Sequence, residues 1–218
     1  MLSFASRLST DSEAFVIFVT EKYNYKDKKG LLPSVALQKI NSFLGVLKAK
    51  KKGEDVSSLD ISDKQKCFII KVKKKYESYF PQECGGSFFS YLKKFKDINK
   101  IDLYIDSLDF DIQEVVDFFS QFIFGLNLKS YTFNKYKTLN REKINKKINF
   151  KIITLYKEKM EKKYKYYDAI KEGVFLTRDL VSEPPNVLNP KTYVREIQKL
   201  SKLGLKIIVY NERKMKKL

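Results

Sequence analysis

The chain has 218 residues, room for one full domain and part of another, and its 43% hydrophobic and 14% aromatic content argue against disorder. It carries 44 Lys and Arg against 26 Asp and Glu, a formal charge of +18, and no histidine. The missing histidine excludes every Ser-His, Cys-His and His-metal scheme within these residues. No apolar run reaches the roughly 18 residues of a membrane span. The start "MLSFASRLSTDSEAF" lacks the basic-then-apolar order of a signal peptide, so a cytoplasmic location is the expectation by default.

Residues 14–19, "AFVIFV", form a continuous apolar run of strand length, the pattern of a strand buried on both faces. Pro33 and Ser34 open a helix in which Leu37, Ile40, Phe43, Leu44 and Leu47 recur at 3–4 spacing, ending in the basic tail "KAKKKGE". "KCFIIKV" reads as a strand. "ECGGS" reads as a turn that starts a short amphipathic helix, "SFFSYLKKF". "KIDLYID" alternates Ile101, Leu103 and Ile105 with Asp102, Tyr104 and Asp106, the pattern of a half-polar strand.

From Ile112 the period changes, and Val115, Val116, Phe119, Phe122, Ile123 and Leu126 share one helical face. "NFKIITLY" is another strand. A long helix follows, charged in its first half and apolar in its second, and Pro184-Pro185 stops it. "NPKTYVREIQKLSKLG" is a capped helix with Gly204 as its stop, "LKIIVYN" a strand, and "ERKMKKL" the start of a helix. This alternation predicts a layered α/β sheet with helices on its faces.

Few residues carry chemistry on their own. Cys67 and Cys84 belong to no C-x-x-C pair and read as buried thiols, although Cys84 in "ECGGS" is a nucleophile in principle. The acids Asp102, Asp106, Asp109, Asp111, Glu114 and Asp117 fall between 101 and 128, a stretch without Lys or Arg. They do not match an EF-hand loop, and Asp109 and Asp111 read as a helix N-terminal cap region. "KEKMEKKYKYYDAIK" interleaves Lys and Tyr in the manner of a nucleic-acid surface. Glu158 and Glu161 also form helix pairs with Lys162 and Lys165, the reading of a solvated face. Only five of the 44 basic residues are Arg. An A/T-rich coding sequence accounts for a lysine excess of this kind as well as a polyanion site does.

Two stretches resemble the leucyl aminopeptidase (cytosol aminopeptidase) family. "GLNLKSYTFNKYKT", Gly125 to Thr138, is similar to a segment late in that family's N-terminal domain. "GVFLTRDLVSEPPNVLNPKTYV" is similar to the segment that leads from the linker helix into the catalytic domain. They occur in the family's order and spacing, while residues 1–124 resemble it in element order alone.

The resemblance implies a mixed layered sheet flanked by helices (an N-terminal domain of leucyl aminopeptidase type, macro-domain-like), a long linker helix and a truncated second domain. The implied divisions are 1–156 for the N-terminal α/β domain, 157–183 for the linker helix and 184–218 for the start of the catalytic domain. Family members remove N-terminal amino acids from peptides with two divalent metals, manganese or zinc, held by a lysine and carboxylates in motifs of the type "K-G-x-x-F-D-S-G-G" and "N-T-D-A-E-G-R". Neither motif occurs here, so no catalytic, cofactor-binding or metal residue is assigned to any position. Arg178, Asp179 and Glu183 are expected to hold a junction by hydrogen bonds.

The expected function is that of a non-catalytic N-terminal portion of such an enzyme, inactive alone. A homo-oligomer or a full-length paralogue is the partner that the family implies. The alternative is a basic α/β module that binds nucleic acid. With one helix and one strand after Pro190, residues 191–218 are expected to pack poorly or to borrow a surface of the N-terminal domain.

Overall fold

The computed structural model describes residues 2–27, 30–50, 54–138 and 148–217. Residues 51–53 of the basic tail "KAKKKGE" lie outside these. The chain divides into two units, Met1–Lys171 and Glu172–Leu218.

The first unit is built on a six-stranded sheet: β1 (Leu2–Ala5), β2 (Ala14–Thr20), β3 (Val56–Ser62), β4 (Gln65–Val72), β5 (Lys100–Tyr104) and β6 (Asn149–Ile153). The spatial order is β1-β6-β5-β2-β4-β3. Every pairing is parallel except the hairpin of β3 with β4. The apolar run of β2 lies in the middle, paired with β4 on one side and β5 on the other, which is why both of its faces are buried. The mixed α/β fold read from the sequence is present. β1 and β3, the two edge strands, are additions to that reading.

Helix α1 (Ser34–Ala49) covers one face, burying Ala36, Ile40, Leu44 and Leu47 with Phe15, Ile17 and Ile69 of the sheet. The other face is covered by α2 (Phe80–Leu92), α3 (Ile112–Ser130) and the first half of α4 (Lys157–Ser182), which contributes the buried Met160 and Tyr164. Aromatic rings fill this second layer. Phe18 of β2 meets Phe119 and Phe122 edge-on at 4.6 and 5.3 Å, a favoured geometry for ring pairs.

Two sequence expectations are corrected here. "ECGGS" is not a turn: Gly85 and Gly86 lie inside α2. A Cβ on Gly85 would stand 2.0 Å from the carbonyl oxygen of Phe122, and one on Gly125 would stand 1.9 Å from that of Gln82. The two helices therefore cross backbone to backbone, and each glycine is there to leave out a methyl group. "KIDLYID" is not half-exposed either. β5 is central, and Asp102, Tyr104 and Asp106 are as buried as the apolar residues between them.

The second unit holds the end of α4, α5 (Pro190–Gln198), a 3-10 turn at Lys199–Leu203, and α6 (Glu212–Met215). "LKIIVYN" does not form a strand, since it joins no sheet among the described residues. Extended pairing needs a neighbour, and none is present among the described residues.

Candidate functional site

The cysteines are positioned for packing. Cys67 points into the α1 layer from β4 and is fully buried, and burial raises its thiol well above the ordinary value. Cys84 sits in α2, where burial, with a smaller contribution from Asp55, pushes it up to about 12. A thiol held neutral is a poor nucleophile.

The six acids do not converge. Asp111 accepts from the Glu114 amide at 2.8 Å while Glu114 accepts from the Asp111 amide, a reciprocal capping box at the start of α3. Asp109 pairs with Lys26 at 2.6 Å. Asp117 pairs with Lys163 of α4 at 2.7 Å; burial pushes its carboxyl up, but hydrogen bonds from Lys163 and Gln113 outweigh this, and the net shift is downward. Asp106 accepts from the Thr154 hydroxyl at 2.8 Å and the Leu155 amide at 2.7 Å, tying β5 to β6 just past their ends. The described residues contain no group of three or more acidic or thiol side chains able to hold a metal ion. They do not fit the two divalent metals that the resemblance implies.

The densest polar cluster is one the sequence does not announce. Asp102 accepts from both the amide and the hydroxyl of Ser9, and the Lys151 ammonium donates to the same hydroxyl. A Ser-Lys contact resembles a nucleophile and its base. Here the hydroxyl proton goes to Asp102 and the lysine acts as a donor, so the ammonium has no lone pair to offer. The cluster instead fastens the β1–β2 connection over the start of β5, where Glu13 also accepts from the Asn99 and Lys100 amides. The signal available in the sequence was Asp102 itself, an acid on a strand that proves central.

At the other end of β5, Ser107 completes the sheet. Pairing with β2 stops at Ile17 and Tyr104. Beyond it the Ser107 hydroxyl accepts from the Phe18 amide at 2.8 Å, so one side chain replaces the next strand residue. Asp27 closes the same edge, accepting from the Tyr104 hydroxyl at 3.0 Å and the Leu31 and Leu32 amides at 2.9 and 3.1 Å.

The segment "SEPPNVLNP" is organised locally. The Pro184 carbonyl accepts from the Val187 and Leu188 amides, both at 2.9 Å. Asn189 caps α5 by accepting from the Lys191 and Thr192 amides, and the Thr192 hydroxyl returns to the Val187 carbonyl at 2.8 Å. Pro190 occupies the first helical turn, where a missing N–H costs nothing. Arg178 and Asp179 lie on the last turns of α4, and Glu183 directly follows its end. No residue from Lys171 to Lys217 is buried, and Leu203, Leu205 and Ile208 are 78%, 55% and 61% exposed.

No family model matches the chain. It is 35% identical over 137 residues to a probable cytosol aminopeptidase of Agrobacterium fabrum, covering 62% of this chain and 27% of that one. It is 34% identical over 139 residues to that of Phytoplasma mali, with the same coverage. The chain corresponds to the N-terminal part of the leucyl aminopeptidase family.

A third cytosol aminopeptidase, of Sinorhizobium fredii, is 29% identical over 203 residues and covers 88% of this chain. The relation to leucyl aminopeptidases thus extends well upstream of residue 124, beyond the element order expected there. Among solved structures, a variant of tomato leucine aminopeptidase matches with a TM-score of 0.74 at 17% identity, over 99% of this chain and 45% of that one. The bottromycin maturation enzyme BotP in complex with Mn matches at 0.63 and 12% identity, over 94% and 40%. These two matches speak to the fold. The chain spans about a quarter to two fifths of the length of the curated relatives. No helix among the described residues is long and apolar enough to cross a membrane.

Proposed function

We propose that these residues are the N-terminal portion of a metal-dependent aminopeptidase: an α/β domain over 1–156, a linker helix over 157–183 and the opening of a catalytic domain over 184–218. The observation that carries this reading is the contrast between the two units. Met1–Lys171 has a filled core on both faces of its sheet, while Glu172–Leu218 presents a capped helix, an unpaired apolar segment and a short helix with nothing buried. Such a layer is complete only with more sheet beside it.

In this reading the first unit supplies assembly contacts, as a homo-oligomer or with a full-length paralogue, in the cytoplasm. The two metals, manganese or zinc, belong to the portion of the family sequence that these residues do not span. The test is peptidase activity on leucine p-nitroanilide with manganese. The 218-residue chain is expected to give no turnover, and metal-dependent turnover from it would overturn the reading. Nucleic-acid binding is the second reading, supported by the charge of +18 and by Lys135 set over the exposed ring of Tyr136 at 5.6 Å. It predicts a gel shift that weakens steeply with salt.

A further inference from the structure

We propose that β3 is a dimerisation edge: two copies of this chain pair residues 56–60 antiparallel about a two-fold axis, joining their six-stranded sheets into one. This rests on the reading of the first unit as the source of homo-oligomer contacts, and it names the surface that makes them.

β3 ends the sheet, with β4 on one side and no further strand on the other among the described residues. Alternation fixes which of its backbone groups are open. The Lys71 amide donates to the Asp55 carbonyl, while the Lys66 amide turns away to the Glu13 carbonyl beside β2. Asp55, Ser57 and Leu59 therefore bond to β4, and Val56, Ser58 and Asp60 point their N–H and C=O groups outward. The register shifts between Asp60 and Ser62, so the regular edge is confined to 56–60, with Ser58 at its centre.

That edge is complementary to itself. With Ser58 opposite the partner's Ser58, Val56 faces the partner's Asp60 and Ile61 faces the partner's Asp55, so no two like charges stand opposite each other. Both acids are already held, Asp60 by Lys66 and Asp55 by Lys71 at 3.3 Å, which keeps the edge close to neutral in a chain of charge +18. Lys39 of α1 donates to the Ile61 carbonyl at 2.8 Å, so its ammonium lies beside the position of the partner's Asp55, and the two-fold axis makes that ion pair twice. An axis perpendicular to the sheet also keeps both α1 helices on one face. Between α1 and β3 runs a groove lined by Phe43, Val46 and Leu59, and Val46 is 54% exposed. Across the seam the partner's groove meets it, and the two apolar linings cover each other. On the opposite face the Ser58 and Tyr91 hydroxyls lie 3.3 Å apart; a hydroxyl donates to one neighbour and accepts from another, so the facing Ser58 pair extends that contact.

The experiment is sedimentation of the 218-residue chain over a dilution series, with amide exchange read at both ends of the series. The expected result is a dimer at about 100 μM that dissociates on dilution. In the dimer the amides of Val56, Ser58 and Asp60 should exchange about tenfold more slowly or better, while those of Ser57 and Leu59, bonded to β4 in either state, should not change. Ser58→Pro removes an outward N–H and no bond to β4, so it should raise the dimer dissociation constant about tenfold or more with circular dichroism unchanged. Val46→Lys, at an exposed position of α1, should weaken the dimer in the same way. A chain that stays monomeric at that concentration overturns the pairing and the homo-oligomer reading together. An oligomer that both variants retain, or protection without the alternation, overturns the pairing alone and leaves the homo-oligomer reading standing.

Discussion

Asp102 on β5 and Asp106 just past its end are both buried acids, yet they should respond differently to substitution. Asp106 accepts from two donors, the Thr154 hydroxyl and the Leu155 amide. Asp106→Ala leaves the buried Thr154 hydroxyl without this acceptor, so a loss of about 1–3 kcal/mol in urea unfolding is expected. Burial raises the Asp102 carboxyl above its ordinary value, although Ser9 and Lys151 pull it the other way. A folded pKa above the unfolded one gives a contribution fully present below the unfolded value, about 3.9, and lost as pH rises through the folded value. Asp102→Asn does not titrate. The stability advantage of the native chain over this variant should therefore shrink as pH is raised from about 3 to about 6, and an advantage that grows over that range would contradict the assignment. At the fully buried Cys67, the expected outcome is no reaction with a disulfide reagent at pH 8 until the chain is unfolded.

Helices α2 and α3 are joined where side chains are absent. Adding a methyl group at Gly125 meets the Gln82 backbone at 1.9 Å, which no rotamer change relieves. Gly125→Ala should cost about 3 kcal/mol or more, while Gly45→Ala, with open space around the added atom, should be neutral or slightly stabilising, as calorimetry would show. Asp111→Ala removes the capping box and should cost about 1 kcal/mol. These elements also show what a sequence can and cannot disclose. The periods of α1 and α3 and the apolar run of β2 were legible because burial repeats along them. Gly85 and Gly86 misled because a glycine pair marks a turn and a close helix crossing equally well. β5 misled because Asp102 on it and Asp106 just past its end are polar yet buried, their partners lying 93 and 48 residues away in sequence. β1 escaped because it is only four residues long, and β3 because "VSSLDIS" is half-polar on an edge and takes its identity from the strand beside it. "LKIIVYN" has the composition of a strand and lacks only the neighbour.

For the molecule as a whole, stability is confined to one unit. Amides of Ala14–Ile17 sit between two paired strands under two helical layers and should exchange only through global unfolding. Amides of Leu205–Tyr210 should exchange at close to free-peptide rates, and protection there in the isolated chain would contradict the uncovered layer. The site was the least legible part. What the sequence offered were candidates for chemistry, and the structure spends them on caps, ties and packing. The absence of burial from Glu172 to Lys217 has a consequence for digestion: a protease that needs exposed backbone should cut within that span well before it reaches the sheet, whatever the folding free energy of the core.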